Sequence, residues 1–209
     1  MNVFDIIGPV MIGPSSSHTA GAVRLGRVAW KILGDKVVKA DITLSGSFAQ
    51  TYRGHGTDKA LIAGVMGMDS DDERIRHSLQ LAKEGGMEFA FHETEIPGAH
   101  PNTAILRVEN REGRVLEVNA SSLGGGRVRV NAIDGMEATF TGDYPTLIIR
   151  NQDRPGMVAE VTGVLSKRQV NIATMQLYRD MRGGLAVMVI ESDQPIWAAA
   201  VEELRACPG

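Results

Sequence analysis

The chain has 209 residues, of which 43% are hydrophobic and 22% charged, a composition typical of one or two globular domains. A net charge of −3 and a pI near 6.0 argue against nucleic-acid and anionic-membrane partners. No apolar run has the length of a membrane span, and the N-terminus lacks a signal-peptide pattern. Because Cys207 is the single cysteine, we expect no intrachain disulfide, no iron–sulfur cluster held by this chain alone, and a cytoplasmic location.

The first half of the chain predicts helices that alternate with strands. After GPSSSHT the pattern turns helical until a stop at Gly34, and VVKADITLSG alternates like a strand. SFAQTYRGHGTDKALIAGVMGM predicts two helices joined by a glycine-rich loop, with Thr57 or Asp58 capping the second helix. DDERIRHSLQLAKEGG predicts one further helix, since it opens with acids and closes on two glycines.

The next stretch is rich in strands. MEFAFHETEI predicts one strand, and the segment after it predicts a three-stranded meander with turns at Asn110–Gly113 and at Gly124–Gly126. Helices and strands in separate groups indicate an α+β domain, which we assign to residues 1–142.

A boundary follows at TFTGDYPT, and residues 146–209 predict a second domain. Its pattern is strand, helix, strand, strand, helix, with Asp153 as the helix N-cap. This order is that of a ferredoxin-like βαββαβ unit without its last strand.

The stretch GPSSSHT, residues 13–19, concentrates side-chain hydrogen-bonding groups at the start of a predicted helix. Redundant caps are one explanation, although a single serine would be enough for that. A helix N-terminus is also a ready anion site, and Ser15, Ser16, Ser17, His18 and Thr19 are suited to clasp a carboxylate. A phosphate P-loop is disfavoured because the Walker lysine is absent.

Two further stretches carry candidate residues. His55 lies between two glycines, where the backbone allows a ligand to approach closely. His100 and Asn102 stand in a turn before a strand, which turn chemistry alone would explain. A zinc site formed by His18, His55 and His100 is a weaker alternative, because their spacing is not that of a metal motif.

Four motifs together resemble a known family. GPSSSHTxG, SGSFAQTYRGHGTDKAL, HPNTA and SSLGGGRV are similar to the β subunit of bacterial iron–sulfur-dependent L-serine dehydratase (L-serine ammonia-lyase). The first ~140 residues also resemble the allosteric substrate-binding domain of some D-3-phosphoglycerate dehydrogenases. Residues from about 146 onward resemble an ACT domain, a small module that commonly binds amino acids, and DRPGMVAEVTGVLSKRQVNI fits its first strand, turn and helix.

The resemblance implies a carbon–nitrogen lyase that converts L-serine to pyruvate and ammonia. Its [4Fe–4S] cluster would be held by cysteines of a partner α subunit, with one open iron acting as a Lewis acid on the serine hydroxyl. His55 would be the leading candidate for the base, with His18 assisting and His100 as a weaker candidate. Ser15, Ser16, Ser17, Thr19 and Asn102 would surround the substrate.

The ACT resemblance implies an effector site that includes Asp153, Arg154 and Gly156, and a homodimer formed through this domain. With the α subunit, an α2β2 assembly is expected. A second hypothesis is a stand-alone serine sensor without catalysis, which would need GPSSSHT but would have no use for His55.

Overall fold

The computed structural model describes residues 10–208, and its contacts divide the chain into two compact units that meet between Gly135 and Met136. Within the described residues, no helix is both long enough and apolar enough to cross a bilayer.

The first unit begins with a π-helical turn, Ser16–Gly21, and a 3₁₀ turn lies at Glu73–His77. Its helices are α1 (Ala22–Leu33), α2 (Ser47–His55), α3 (Thr57–Val65) and α4 (Ser78–Glu84). Its strands are β1 (Val37–Ser45), β2 (Glu88–Thr94), β3 (Thr103–Asn110), β4 (Val115–Gly124) and β5 (Arg127–Ile133).

The strands of the first unit lie side by side in the order β2-β1-β3-β4-β5. Only β1 and β2 pair in parallel, and the other neighbours are antiparallel. Helix α1 packs on β3 and β4, while α2 and α3 pack on β1. The result is the expected α+β architecture of helices on a sheet.

Helices α1 and α3 are in direct backbone contact through two glycines. A Cβ atom on Gly26 would lie 2.3 Å from the carbonyl oxygen of Leu61, and one on Gly64 would lie 2.1 Å from that of Val23. Both distances are far below van der Waals contact, so only glycine allows this approach. Further along, the Trp30 ring lies against Gly67, and α1 and α3 therefore run in the same direction.

Three local predictions for the first unit need correction. Helix α2 extends through His55, so the predicted glycine-rich loop reduces to Gly56, whose φ is 70°. Neither Thr57 nor Asp58 caps α3, since Gly56 is the N-cap residue and the buried Thr57 hydroxyl has no partner among residues 10–208. The single helix predicted from DDERIRHSLQLAKEGG is a 3₁₀ turn followed by α4.

The second unit contains β6 (Met136–Phe140), β7 (Thr146–Gln152), α5 (Met157–Lys167), β8 (Ile172–Arg179), β9 (Leu185–Ser192) and α6 (Ala198–Arg205). Strands β7, β8 and β9 form an antiparallel sheet in the order β7-β9-β8. The core includes Met157, Leu165, Met188 and Ile190, so α5 covers one face of the sheet. The predicted β-α-β-β-α order is confirmed from β7 to α6, and strand β6 was not predicted.

The predicted capping role of Asp153 is wrong. Helix α5 starts at Met157, and its N-cap residue is Gly156 with φ 96°. The Asp153 carboxylate instead accepts hydrogen bonds from the Gly183 backbone N–H at 3.0 Å and from Arg179 Nη1 at 3.1 Å. The hairpin between β8 and β9 therefore holds this side chain away from the helix.

Candidate active site

The three consecutive serines make three different contacts, two of them to His18. Ser15 accepts a hydrogen bond from the His18 backbone N–H at 3.1 Å and so caps the π-helical turn. Ser16 accepts one from the Gly125 N–H at 3.3 Å, which joins the turn to the triple-glycine loop. The Ser17 hydroxyl lies 3.0 Å from His18 Nδ1. Capping thus explains only one of the three serines.

The His18 imidazole is held through both ring nitrogens. Nδ1 lies 3.0 Å from the Ser17 hydroxyl, and Nε2 lies 3.2 Å from the Ser47 hydroxyl at the start of α2. The edge of the ring packs on buried Phe48, with ring centroids 5.2 Å apart. Since a hydroxyl both donates and accepts, either neutral tautomer of His18 is satisfied here.

Close backbone packing positions α2 beside this turn. Gly46 has φ 59°, and a Cβ atom there would lie 2.7 Å from the carbonyl oxygen of Pro101. The same carbonyl accepts a hydrogen bond from the Phe48 N–H at 3.2 Å. The HPNT loop thereby fixes the start of α2, and with it Ser47.

The opposite end of α2 carries His55 to His18. Their ring centroids are 4.8 Å apart, and the rings are tilted by 50°. His55 is exposed, and no hydrogen bond to its ring nitrogens is found among residues 10–208. The histidine pair, His18 and His55, therefore combines a fixed ring with one whose nitrogens are open.

The HPNT loop contributes a buried hydrogen-bond acceptor, whereas its histidine forms a hydrogen bond within the loop. His100 Nδ1 accepts a hydrogen bond from the Asn102 backbone N–H at 3.1 Å, as a turn residue does. Asn102 Nδ2 lies 3.5 Å from the Ser122 carbonyl oxygen, and Asn102 Oδ1 is buried with no partner among the described residues. The structure records no contact between His100 and the histidine pair in the described part of the chain.

Thr19 and Ser122 complete the surroundings of the turn. The Thr19 side chain is 2% exposed, and its hydroxyl has no partner within residues 10–208. The buried Ser122 hydroxyl donates to the Ser17 carbonyl oxygen at 2.9 Å. A Cβ atom on Gly21 would lie 2.0 Å from the Ser122 Oγ, so Ser122 can approach the turn only because residue 21 is glycine.

The electrostatics of the site favour a neutral His18. Burial lowers the pKa of His18 from its ordinary value of 6.5, and the nearby charge of His55 lowers it further, while the bond at Ser47 opposes them. His18 is therefore uncharged at neutral pH. Asp58, in the same GHGTD motif as His55, has a raised pKa, chiefly because it is partly buried.

Sequence reasoning missed Ser47 and Ser122 as site residues. Both lie within the four motifs, but each matters through a contact far along the chain. A local signal existed only for Ser47, because it directly follows Gly46, whose positive φ and close approach to Pro101 mark the start of α2. Among residues 10–208 there is no group of three or more histidine, cysteine, aspartate or glutamate side chains that would hold a metal. This geometry gives no support to the zinc alternative.

The residues predicted for the effector site have internal partners. The hydrogen bond from the Gly183 N–H, followed by that from Arg179, lowers the pKa of Asp153 below its ordinary range. Arg154 contacts Glu160 Oε2 at 3.5 Å and the carbonyl oxygen of Pro208. Gly156 precedes α5 in the left-handed conformation.

Two family models match separate parts of the chain. A family model for the serine dehydratase beta chain matches residues 2–88, and a model for the ACT domain matches residues 145–209. The chain thus combines a serine dehydratase β-type domain with an ACT domain.

Sequence identities to curated relatives extend over nearly the whole chain. The chain is 42% identical over 207 residues to the probable L-serine dehydratase, beta chain, of Bacillus subtilis (strain 168), a match that covers 99% of this chain and 94% of that protein. It is 34% identical over 196 residues to the L-serine dehydratase, beta chain, of Peptoniphilus asaccharolyticus, covering 93% and 88%. A D-3-phosphoglycerate dehydrogenase of Bacillus subtilis is 27% identical over 90% of this chain, but over only 35% of its own length. The chain belongs to the family of L-serine dehydratase β chains.

Proposed function

We propose that this chain pairs with an α subunit to form an L-serine dehydratase, and that His55 removes the Cα proton of L-serine. The observation that carries the proposal is the asymmetry of the histidine pair. Both nitrogens of His18 lie within hydrogen-bond distance of serine hydroxyls. His55, 4.8 Å away between ring centroids, is exposed, and its ring nitrogens have no hydrogen bond among residues 10–208. A general base needs a free nitrogen within reach of the proton that it takes.

The reaction that this assignment implies is a β-elimination. His55 takes the Cα proton, the C–H electron pair forms the Cα=Cβ bond, and the Cβ–O bond breaks as the hydroxyl leaves. The aminoacrylate tautomerises to an imine, and water hydrolyses the imine to pyruvate and ammonia. On this proposal a [4Fe–4S] cluster held by the α subunit supplies the Lewis acid for the hydroxyl. The described residues of this chain do not form a site for such a cluster.

The neighbours of His55 have supporting roles in this proposal. His18 stays neutral beside His55, so the base acquires its proton without facing a second positive charge. The Thr19 hydroxyl and Asn102 Oδ1 are buried without a partner among residues 10–208; in this proposal the hydroxyl donates to the substrate's carboxylate and Oδ1 accepts from its ammonium group. Ser15, Ser16 and Ser17 act by fixing the turn, since each already has a partner inside the chain.

We extend the proposal to the ACT domain as a regulatory module that pairs two copies of this chain in an α2β2 assembly. Exposed apolar side chains support a pairing surface on this domain: Leu177 on β8 is 48% exposed, and Leu185 on β9 is 46% exposed. An amino-acid effector would have to displace the internal partners of Asp153 and Arg154. Asp153→Ala is therefore expected to alter any effector response without altering basal turnover.

The test is anaerobic co-expression of this chain with an α subunit that carries cluster cysteines, followed by a pyruvate assay with L-serine. The variant His55→Gln is expected to lower kcat by at least about 100-fold, the size of a general base contribution. Elution of both subunits together in size-exclusion chromatography checks that the complex is intact. His77→Gln is the matched control, because His77 is exposed and lies in the 3₁₀ turn.

Two results would contradict the proposal. Unchanged turnover in His55→Gln would remove His55 as the base. Saturable serine binding to this chain, measured by calorimetry, with no pyruvate from any co-purified complex would favour the serine sensor instead.

A further inference from the structure

The first unit contains a cavity that the proposed function does not use. Its volume is about 660 Å³, within the range of small-molecule sites. It lies where the C-terminal ends of α1, α3 and α4 meet, whereas the histidine pair belongs to the N-terminal side of α1 and α3. Its apolar walls include Trp30, Val65, Met66, Leu81, Ala82 and Met87.

Of the charged side chains at the rim of this cavity, the carboxylate has hydrogen-bond partners and the two lysines have no ion-pair partners among the described residues. Lys31 and Lys36 line it, are exposed, and have no ion pair among the described residues. Asp35 is the one acidic side chain of the lining within residues 10–208, and its two oxygens accept hydrogen bonds from the Lys36 N–H at 2.6 Å and from Asn110 Nδ2 at 2.9 Å. The rim therefore presents two ammonium groups open to a ligand and a carboxylate that is already engaged.

Helix C-termini carry partial negative charge, which by itself would favour a cation. At this cavity, however, carbonyl groups at the helix ends accept hydrogen bonds from within the chain. The Leu33 carbonyl accepts from Arg114 Nη1 at 3.3 Å, that of Gly64 from the Gly67 N–H at 2.9 Å, and that of Lys83 from the Gly86 N–H at 3.0 Å. The full charges of the two lysines thus decide the sign of the ligand.

We propose that this cavity binds a small carboxylate with an aromatic or branched aliphatic body. The body would pack against the Trp30 indole and the two methionines, Met66 and Met87, which adapt readily to a guest. The carboxylate would lie at the rim, between Lys31 and Lys36. Serine does not suit this cavity because its walls offer few groups to satisfy a polar side chain.

The experiment uses the fluorescence of Trp30 as the reporter. The chain has two tryptophans, and Trp197→Phe leaves Trp30, which lines the cavity, as the single emitter. The probe is 3-phenylpropionate, and its neutral amide, 3-phenylpropanamide, is the matched ligand control. A saturable change in Trp30 emission is expected with the acid, and binding at least several-fold weaker is expected with the amide.

Variants of the rim test where the carboxylate lies. Lys31→Ala combined with Lys36→Ala is expected to weaken binding of the acid about tenfold, since two near-surface ion pairs each contribute a factor of a few. Lys39→Ala is the control, because Lys39 is exposed on β1 and does not line the cavity. Equal binding of acid and amide, no effect of the double variant, or no saturable change in Trp30 emission would each overturn the proposal.

Discussion

The contact between α1 and α3 makes a sharp prediction for Gly64→Ala. A Cβ atom at residue 64 would lie 2.1 Å from the carbonyl oxygen of Val23 and 2.9 Å from the Arg27 backbone nitrogen. Both atoms belong to the backbone of α1, so no side chain can rotate away to make room. The helices would have to separate by about 1 Å to restore van der Waals contact.

The expected cost follows from two opposing effects. Forcing extra volume into a packed interface costs up to about 3 kcal/mol. Replacing glycine by alanine inside a helix returns about 1 kcal/mol of helix propensity. The free energy of unfolding of the first unit should therefore fall by about 2 kcal/mol, provided that the overpacking cost reaches its upper range.

Urea unfolding followed by Trp30 fluorescence in the Trp197→Phe background measures this change, since Trp30 lies on α1 and packs against Gly67. Gly54→Ala is the matched control: Gly54 is a helical glycine of the same unit, and a Cβ added to it would meet no atom within 4 Å. That variant should be neutral or slightly stabilising. If Gly64→Ala were as stable as Gly54→Ala, the backbone contact between α1 and α3 would be refuted.

Three further predictions concern titration and packing. Because the pKa of folded His18 lies below its ordinary value of 6.5, the folded state loses stability as the pH falls below 6.5. The urea midpoint of unfolding should therefore drop between about pH 7.5 and 5.5, and it should drop less in His18→Gln. An equal drop in both proteins would contradict the lowered pKa of His18. Gly21→Ala should lower the free energy of unfolding by about 1–3 kcal/mol, because its Cβ would meet the Ser122 side chain. Adding Ser122→Gly should recover part of this loss. A double-mutant cycle that shows no coupling between the two residues would argue against the contact. The lowered pKa of Asp153 adds stability to the second unit at neutral pH, and this stability is lost as the pH falls through that pKa. In Asp153→Asn the free energy of unfolding, followed by Trp197 fluorescence, should therefore fall less steeply as the pH is lowered. An unchanged dependence on pH would contradict the hydrogen bond from Gly183.

Local signals in the sequence were enough for most of the fold. Hydrophobic periodicity and glycine stops predicted α1 up to Gly34, and alternation with turn glycines predicted β3, β4 and β5. Strand β6 was missed although the signal for it was present. Asp134 and Gly135, directly before this strand, both have positive φ, and an Asp-Gly pair between alternating residues is a strong indication of a tight turn.

The prediction for Asp153 failed because a residue distant in sequence competes for its side chain. Asp153 has the right side chain for a helix cap, but the Gly183 N–H, 30 positions away, offers its carboxylate a better-placed donor. His100 and Asn102 fit turn chemistry as well as substrate binding, and the structure gives His100 a local hydrogen bond within its own loop. For such residues a sequence pattern names the chemistry but not the partner.

The approach of His18 to His55 is the clearest example of what sequence alone does not supply. The local context of each histidine marks it as a candidate, but their contact depends on α1 and α3 running side by side in the same direction. That arrangement rests on Gly26 and Gly64, which have no chemistry of their own and carry no motif signal. If the two backbones separated, the π-helical turn that carries His18 would move with α1, whereas His55, the last residue of α2, would move with α3, to which Gly56 joins it. The stability of the first unit and the geometry of the histidine pair therefore depend on the same two glycines.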